Sequence, residues 1–151
     1  MLLSAVVAGP QFYGLLAVLG FGLLLPPIAL LHVRIAALRP HAAVLATLAG
    51  GATAVSGVAA LALDDLEPAA LFFLATWWWV AGKLMAESGA LSRRFGQLTA
   101  ATAPLVFVAL IANLFGVRPY SWSAPRLALA LWLLALALLL YRELGRPKNA
   151  G

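Results

Sequence analysis

The spacing of charges constrains this chain more than any motif does. No charged residue lies between Met1 and Val33, none between Arg39 and Asp64, and none between Arg94 and Arg118. A helix needs about 20 apolar residues to cross the ~30 Å hydrocarbon layer of a bilayer, and each of these runs is long enough. The composition agrees. Of 151 residues, 64% are hydrophobic and 10% charged, where an ordinary soluble domain has about 45–50% and 25%. A water-soluble core of this size would leave roughly a third of the unfolded chain's surface exposed, with too few polar residues to cover it. The expected fold is therefore an all-α polytopic membrane bundle, a single transmembrane domain of five helices at about 11–36, 41–63, 68–88, 96–117 and 124–142. The leading run has no basic start and far exceeds the 7–15 apolar residues of a signal peptide, so it is expected to remain attached.

Five crossings place Arg34, Arg39, Lys83, Arg93, Arg94, Arg142, Arg146 and Lys148 on one face. Arg118 and Arg126 fall on the other, beside Asp64, Asp65 and Glu67. Cytoplasmic loops are enriched in Lys and Arg, which predicts an outside amino terminus and a cytoplasmic carboxyl terminus in a bacterial-type inner membrane. The net charge of +5 is distributed between apolar runs. It points to threading and to anionic lipid headgroups rather than to nucleic acid.

Individual segments carry further expectations. Pro26 and Pro27 each lack a backbone donor, so they should kink or interrupt the first helix, with the break turned toward protein or merely fitting an overlong segment to the membrane. The second helix is rich in small residues, Gly50 to Ala54, Ser56 and Gly57, which favour close helix approach and mark it as the candidate centre of the bundle. Pro68 suits the first turn of the third helix, and Gly89 its left-handed stop. Along the fifth helix Leu127, Leu131, Leu134, Leu138 and Tyr141 follow an a/d rhythm, with alanines at 128, 130, 135 and 137 repeating by sevens. This helix reads as peripheral, against lipid or another subunit.

The polar and aromatic residues define the candidate sites. At 100° per residue Phe72, Thr76, Val80, Lys83 and Glu87 share one stripe of the third helix. Lys83 and Glu87 then form either an ion-handling pair lining a cavity or a lysine that snorkels to the headgroups beside a loose acidic neighbour. Trp77, Trp78 and Trp79 lie near mid-membrane, about 15 Å along the helix from Pro68, with Trp132 at similar depth. They would wall a flat ligand such as a quinone or pigment, or fill helix interfaces as bulky packing. His32 and His41, near one boundary, could bind haem iron axially or bond to headgroups and carbonyls. Other ligands for a metal are missing, and the sequence itself requires no cofactor, a pigment, quinone or haem being the ones these residues could take.

Absence of cysteine excludes disulfides, thiolate metal sites and cysteine nucleophiles. No G-x-S-x-G, H-E-x-x-H or phosphate-cradling glycine loop occurs, so enzyme readings have little footing. The run Ser88-Gly89, Leu91, Arg93-Arg94, Gly96 resembles turns of small bacterial multi-pass proteins and brings no function with it. The expectation is a non-catalytic accessory subunit packing against a larger membrane complex of electron-transfer or photosynthetic type. Its partners would be lipids and either other subunits or further copies of itself. The alternative is a small oligomeric transporter or channel using the Pro26-Pro27 break, the second helix and Lys83/Glu87.

Overall fold

The computed structural model describes residues 18–60, 63–116 and 123–144; of residues 64, 123, 124, 126, 143 and 144 only the backbone is described. Among them there is no strand. The helices are α1 (Leu25–Ala36), α2 (Pro40–Ala59), α3 (Glu67–Ser88), α4 (Arg93–Leu114) and α5 (Ser123–Leu144), with a 3-10 turn at Asp64–Leu66 leading into α3. Four helical stretches are long and apolar enough to cross a membrane: Val18–Ala36, Pro40–Ala59, Glu67–Ser88 and Arg93–Leu114. The apolar part of α5 among the described residues, Leu127–Arg142, is shorter.

The break in the first span comes just before the prolines. Residues 18–22 are helical, 23 and 24 form a turn, and α1 restarts with Pro26 and Pro27 in its first turn. There the missing N–H groups interrupt no established ladder. Leu24, Ile28, Leu31 and Ile35, spaced by four, three and four, are the buried face of this span. That periodicity keeps one stripe pointed at protein and leaves Leu23, Leu25 and Val33 exposed.

The centre of the bundle is α3, not α2. Of the most apolar window of α3, 56% is buried inside the protein, against 39% for α2 and 22% for α4. Small residues explain this too, on helices where they are fewer than in α2. A Cβ on Gly82 would meet the backbone of Ala100, and one on Gly96 would lie 2.5 Å from the Ala86 nitrogen and 2.8 Å from the Gly82 carbonyl oxygen. Gly82/Ala86 and Gly96/Ala100 are thus facing pairs four apart, and α3 and α4 cross with their backbones touching. In α2 the small residues serve the neighbours' large ones. Gly50 receives the Ile28 side chain and the Trp77 indole nitrogen, and Gly57 receives the Phe21 ring.

The turns follow from local chemistry. Gly89 has φ 68° and ψ 13°, a conformation that costs a residue with a Cβ about 1–2 kcal/mol, and it ends α3. Next, α4 begins at Arg93, three residues earlier than hydrophobicity suggests, because an exposed first turn accommodates Arg93 and Arg94 as readily as a loop does. The Arg118 to Trp122 turn expected from the sequence lies outside the described residues, as do Arg146 and Lys148.

The charged side chains make their contacts at the two ends of the bundle. At one end Arg34 donates to the Ala90 carbonyl (3.1 Å) and Arg39 to the Glu87 carboxylate (2.8 Å), tying the α1–α2 turn to the α3–α4 turn. At the other end the Asn113 amide donates to the Glu67 carboxylate (2.8 Å), joining the end of α4 to the start of α3.

Candidate functional site

The aromatic cluster is the most organised feature inside the bundle. Trp77 and Trp78 are each 1% exposed, whereas Trp79 is 46% exposed. Successive positions on a helix fan by 100°, so two indoles enter the core and the third must leave it. Trp132 of α5 packs edge-on to Trp77, with ring centroids 5.3 Å apart at 65°, and lies 6.2 Å from Trp78 at 34°. Phe95 of α4 stacks on the same indole at 5.7 Å and 29°. The sequence places the four tryptophans at one depth, and three of them meet. Phe95 was not among the sequence candidates, since it sits beside the arginine pair and reads as part of the turn.

A buried hydrogen-bond relay anchors this cluster. Trp132 Nε1 donates to the Thr99 hydroxyl (2.8 Å), and that hydroxyl donates to the Phe95 carbonyl (2.9 Å). Thr99 is 1% exposed, so the bond forms where water is excluded and an unpaired donor would be disfavoured. Trp78 is treated differently. Its Nε1 is buried and, among the described residues, is the buried side-chain nitrogen or oxygen with no hydrogen-bond partner.

Lys83 and Glu87 do not form an enclosed pair. Phe72, Trp79, Lys83 and Glu87 make up the exposed stripe of α3, with Thr76 and Val80 half-buried beside it. Glu87 takes Arg39 as its ion partner, both side chains being about half exposed. The Lys83 ammonium lies 5.8 Å from the centroid of the Trp79 ring, a cation–π placement. The stripe therefore faces outward, and its ionisable residues sit at the rim near the α3–α4 turn. An open notch of about 540 Å³ there is lined by Lys83, Ala86, Glu87, Arg93, Gln97 and Ala100.

The two histidines have separate environments. His32 is half-buried in α1, with Nδ1 2.7 Å from the Thr47 hydroxyl of α2. That hydroxyl already donates to the Ala43 carbonyl (2.8 Å), so the imidazole Nδ1–H is the donor. His41 is exposed at the start of α2. Thr47, unremarked in the sequence, is thus what orients His32. Among the described residues no group of three or more His, Asp or Glu could hold a metal ion.

Pro26 and Pro27, with Leu23 and Leu30, face Leu133, Leu136, Ala137 and Leu140 of α5 across an apolar groove of about 460 Å³. The break in the first span thus borders another helix. The walls supply shape and apolar surface, with no acid, base or nucleophile among them. Against protein-family models, curated proteins and solved structures alike, the chain finds no match.

Proposed function

We propose that this protein is a non-catalytic multi-pass membrane subunit that packs against a larger membrane assembly of electron-transfer or photosynthetic type. In this reading it crosses a bacterial-type inner membrane five times, with α5 as the fifth crossing, its amino end outside and its carboxyl end cytoplasmic. The carrying observation is the outward face of α5. Leu127, Leu131, Leu134, Leu138 and Tyr141 are 56–76% exposed, directly opposite Leu129, Trp132 and Leu136, which dock on the bundle. Leucines at alternating spacings of four and three, with small alanines beside them, make a surface suited to another helix. Clustering of Arg34, Arg39, Lys83, Arg93 and Arg94 at one end of the bundle, with Asp65 and Glu67 at the other, supports the orientation.

The polar interior also favours a structural role. Among the described residues Thr53 and Thr99 are the buried hydroxyl-bearing ones. Their hydroxyls donate to the carbonyls of Ala49 and Phe95, so neither has a proton left to offer a transported solute of the kind a polar midplane site would bind. Purification in a mild detergent tests the reading. Larger subunits should copurify in fixed ratio, and recovery as a pure homo-oligomer overturns it.

A second reading, a small oligomeric transporter or channel, is kept by the notch around Lys83, Glu87, Arg93 and Gln97. Under it, reconstituted protein would carry a proton or ion flux that Lys83→Met or Glu87→Gln abolishes. Flux unchanged in both variants removes these residues from any pathway.

A further inference from the structure

A second cleft lies between α3, α4 and α5. Its volume is about 170 Å³, and its walls include Trp78 of α3, Thr102, Val106 and Ala109 of α4, and Pro125 and Ala128 of α5. Leu105, 67% exposed, stands at its edge. Almost every wall atom is apolar. The Thr102 hydroxyl is turned to its own helix, donating to the carbonyls of Thr99 (2.8 Å) and Leu98 (3.2 Å), and a proline at position 125 brings no N–H.

One of the wall residues, Trp78, carries a donor enclosed by the surrounding protein. Its ring is 1% exposed and its Nε1–H has no partner, although the neighbouring Trp132 satisfies the same group on Thr99. Buried donors in folded proteins are nearly always paired, so an orphan calls for an acceptor. Lipid tails offer none. We propose that this cleft binds a lipid-soluble ring carbonyl compound of the quinone class, whose carbonyl oxygen accepts the Trp78 Nε1–H while its ring lies against Val106, Ala109 and Ala128.

Depth separates this ligand from the other common source of carbonyls. Trp78 lies about 16 Å along α3 from Glu67, half-way through a layer ~30 Å thick. Phospholipid ester carbonyls belong to the headgroup boundary, whereas a quinone ring on an isoprenoid tail reaches the middle. A cleft of about 170 Å³ leaves space for one ring, and the tail would extend past Leu105 into lipid. The inference rests on the membrane setting of the bundle and not on any partner subunit, so it stands or falls separately from copurification.

The test uses full-length protein in lipid nanodiscs, titrated with decylubiquinone and followed by tryptophan fluorescence. Wild type should show a saturable quenching component above the linear collisional background. Trp78→Phe keeps a ring but removes the donor, and should weaken the saturable component about 5- to 10-fold, the loss of one hydrogen bond. Trp79→Phe, changing an exposed indole, should leave the affinity unchanged. Ala109→Leu fills the cleft while leaving the Trp78 donor unsubstituted and should abolish saturation, and a cooperative thermal transition in each variant establishes that it is folded. Purely linear quenching of wild type, or equal affinity in Trp78→Phe, overturns the proposal. So does a Trp78-dependent signal from phosphatidylcholine brominated near its ester groups in the absence of saturable quinone binding, since the occupant is then a phospholipid ester.

Discussion

Trp132 and Thr99 share a buried hydrogen bond of 2.8 Å that joins α5 to α4. Because the Thr99 hydroxyl itself donates a hydrogen bond to the Phe95 carbonyl, and Phe95 stacks on Trp132, one threonine orders both the polar and the aromatic side of the contact. Thr99→Val keeps the shape and strands the indole N–H. We expect it to destabilise the protein by about 1–2 kcal/mol, and Trp132→Ala, which removes the whole anchor, by about 3–5 kcal/mol. Unfolding of the purified protein in mixed detergent micelles measures both, and equal stability of Thr99→Val and wild type would show that the bond contributes nothing.

The α3–α4 crossing predicts a contrast between glycines. Gly82→Leu and Gly96→Leu place a side chain where the opposing backbone already lies, so each should lose at least the 1–3 kcal/mol of ordinary overpacking. Gly51→Leu, at a position with open space around it, should change stability by less than about 0.5 kcal/mol. The same unfolding measurement ranks the three.

The bond between Arg39 and Glu87 is short, but both side chains are about half exposed. Exposed pairs are typically worth about 0.2–1 kcal/mol. A double-mutant cycle of Arg39→Gln and Glu87→Gln should therefore give a coupling below about 1 kcal/mol that shrinks as salt is raised. A coupling of several kcal/mol would mean that this rim is shielded from water, for instance by a subunit seated on it.

Threading is checked with reporter fusions. Insertions in the 89–92 turn should report the cytoplasm, and insertions at 63–65 the outside, because the basic and acidic residues separate in that sense. Terminal reporters should disagree with each other if α5 is a crossing. Agreement between them would make α5 a surface helix and remove the basis for a fifth span.

Much of the architecture was legible because a bilayer leaves few options. Long uncharged runs must be helical, and prolines and glycines punctuate them, so Pro68 and Gly89 mark the limits of α3 on chemistry alone. What was not legible depends on which faces meet. The small residues of α2 outnumber those of α3 or of α4 taken singly, yet Gly82/Ala86 and Gly96/Ala100 form the closest crossing because their spacings match across the pair. Glu87 has Lys83 one turn away in sequence but bonds to Arg39, 48 positions distant, since the folded turns bring a longer and better-oriented donor to it. Phe95 and Thr47 carry no signature of their own. Their roles exist only once Trp132 and His32 arrive from other helices.

The hairpin of α3 and α4 is closed at both extremities, by the short turn after Gly89 and by the Asn113 to Glu67 bond, with the glycine crossing between. A pair of rods pinned at three heights cannot shear, roll or change tilt without breaking a pin. Lateral yielding therefore falls to α5, whose polar fastening among the described residues is the Trp132–Thr99 bond, with Leu129 and Leu136 seated beside it. Anything pressing in sideways from the acyl chains on that flank would meet α5 before it met the pinned pair.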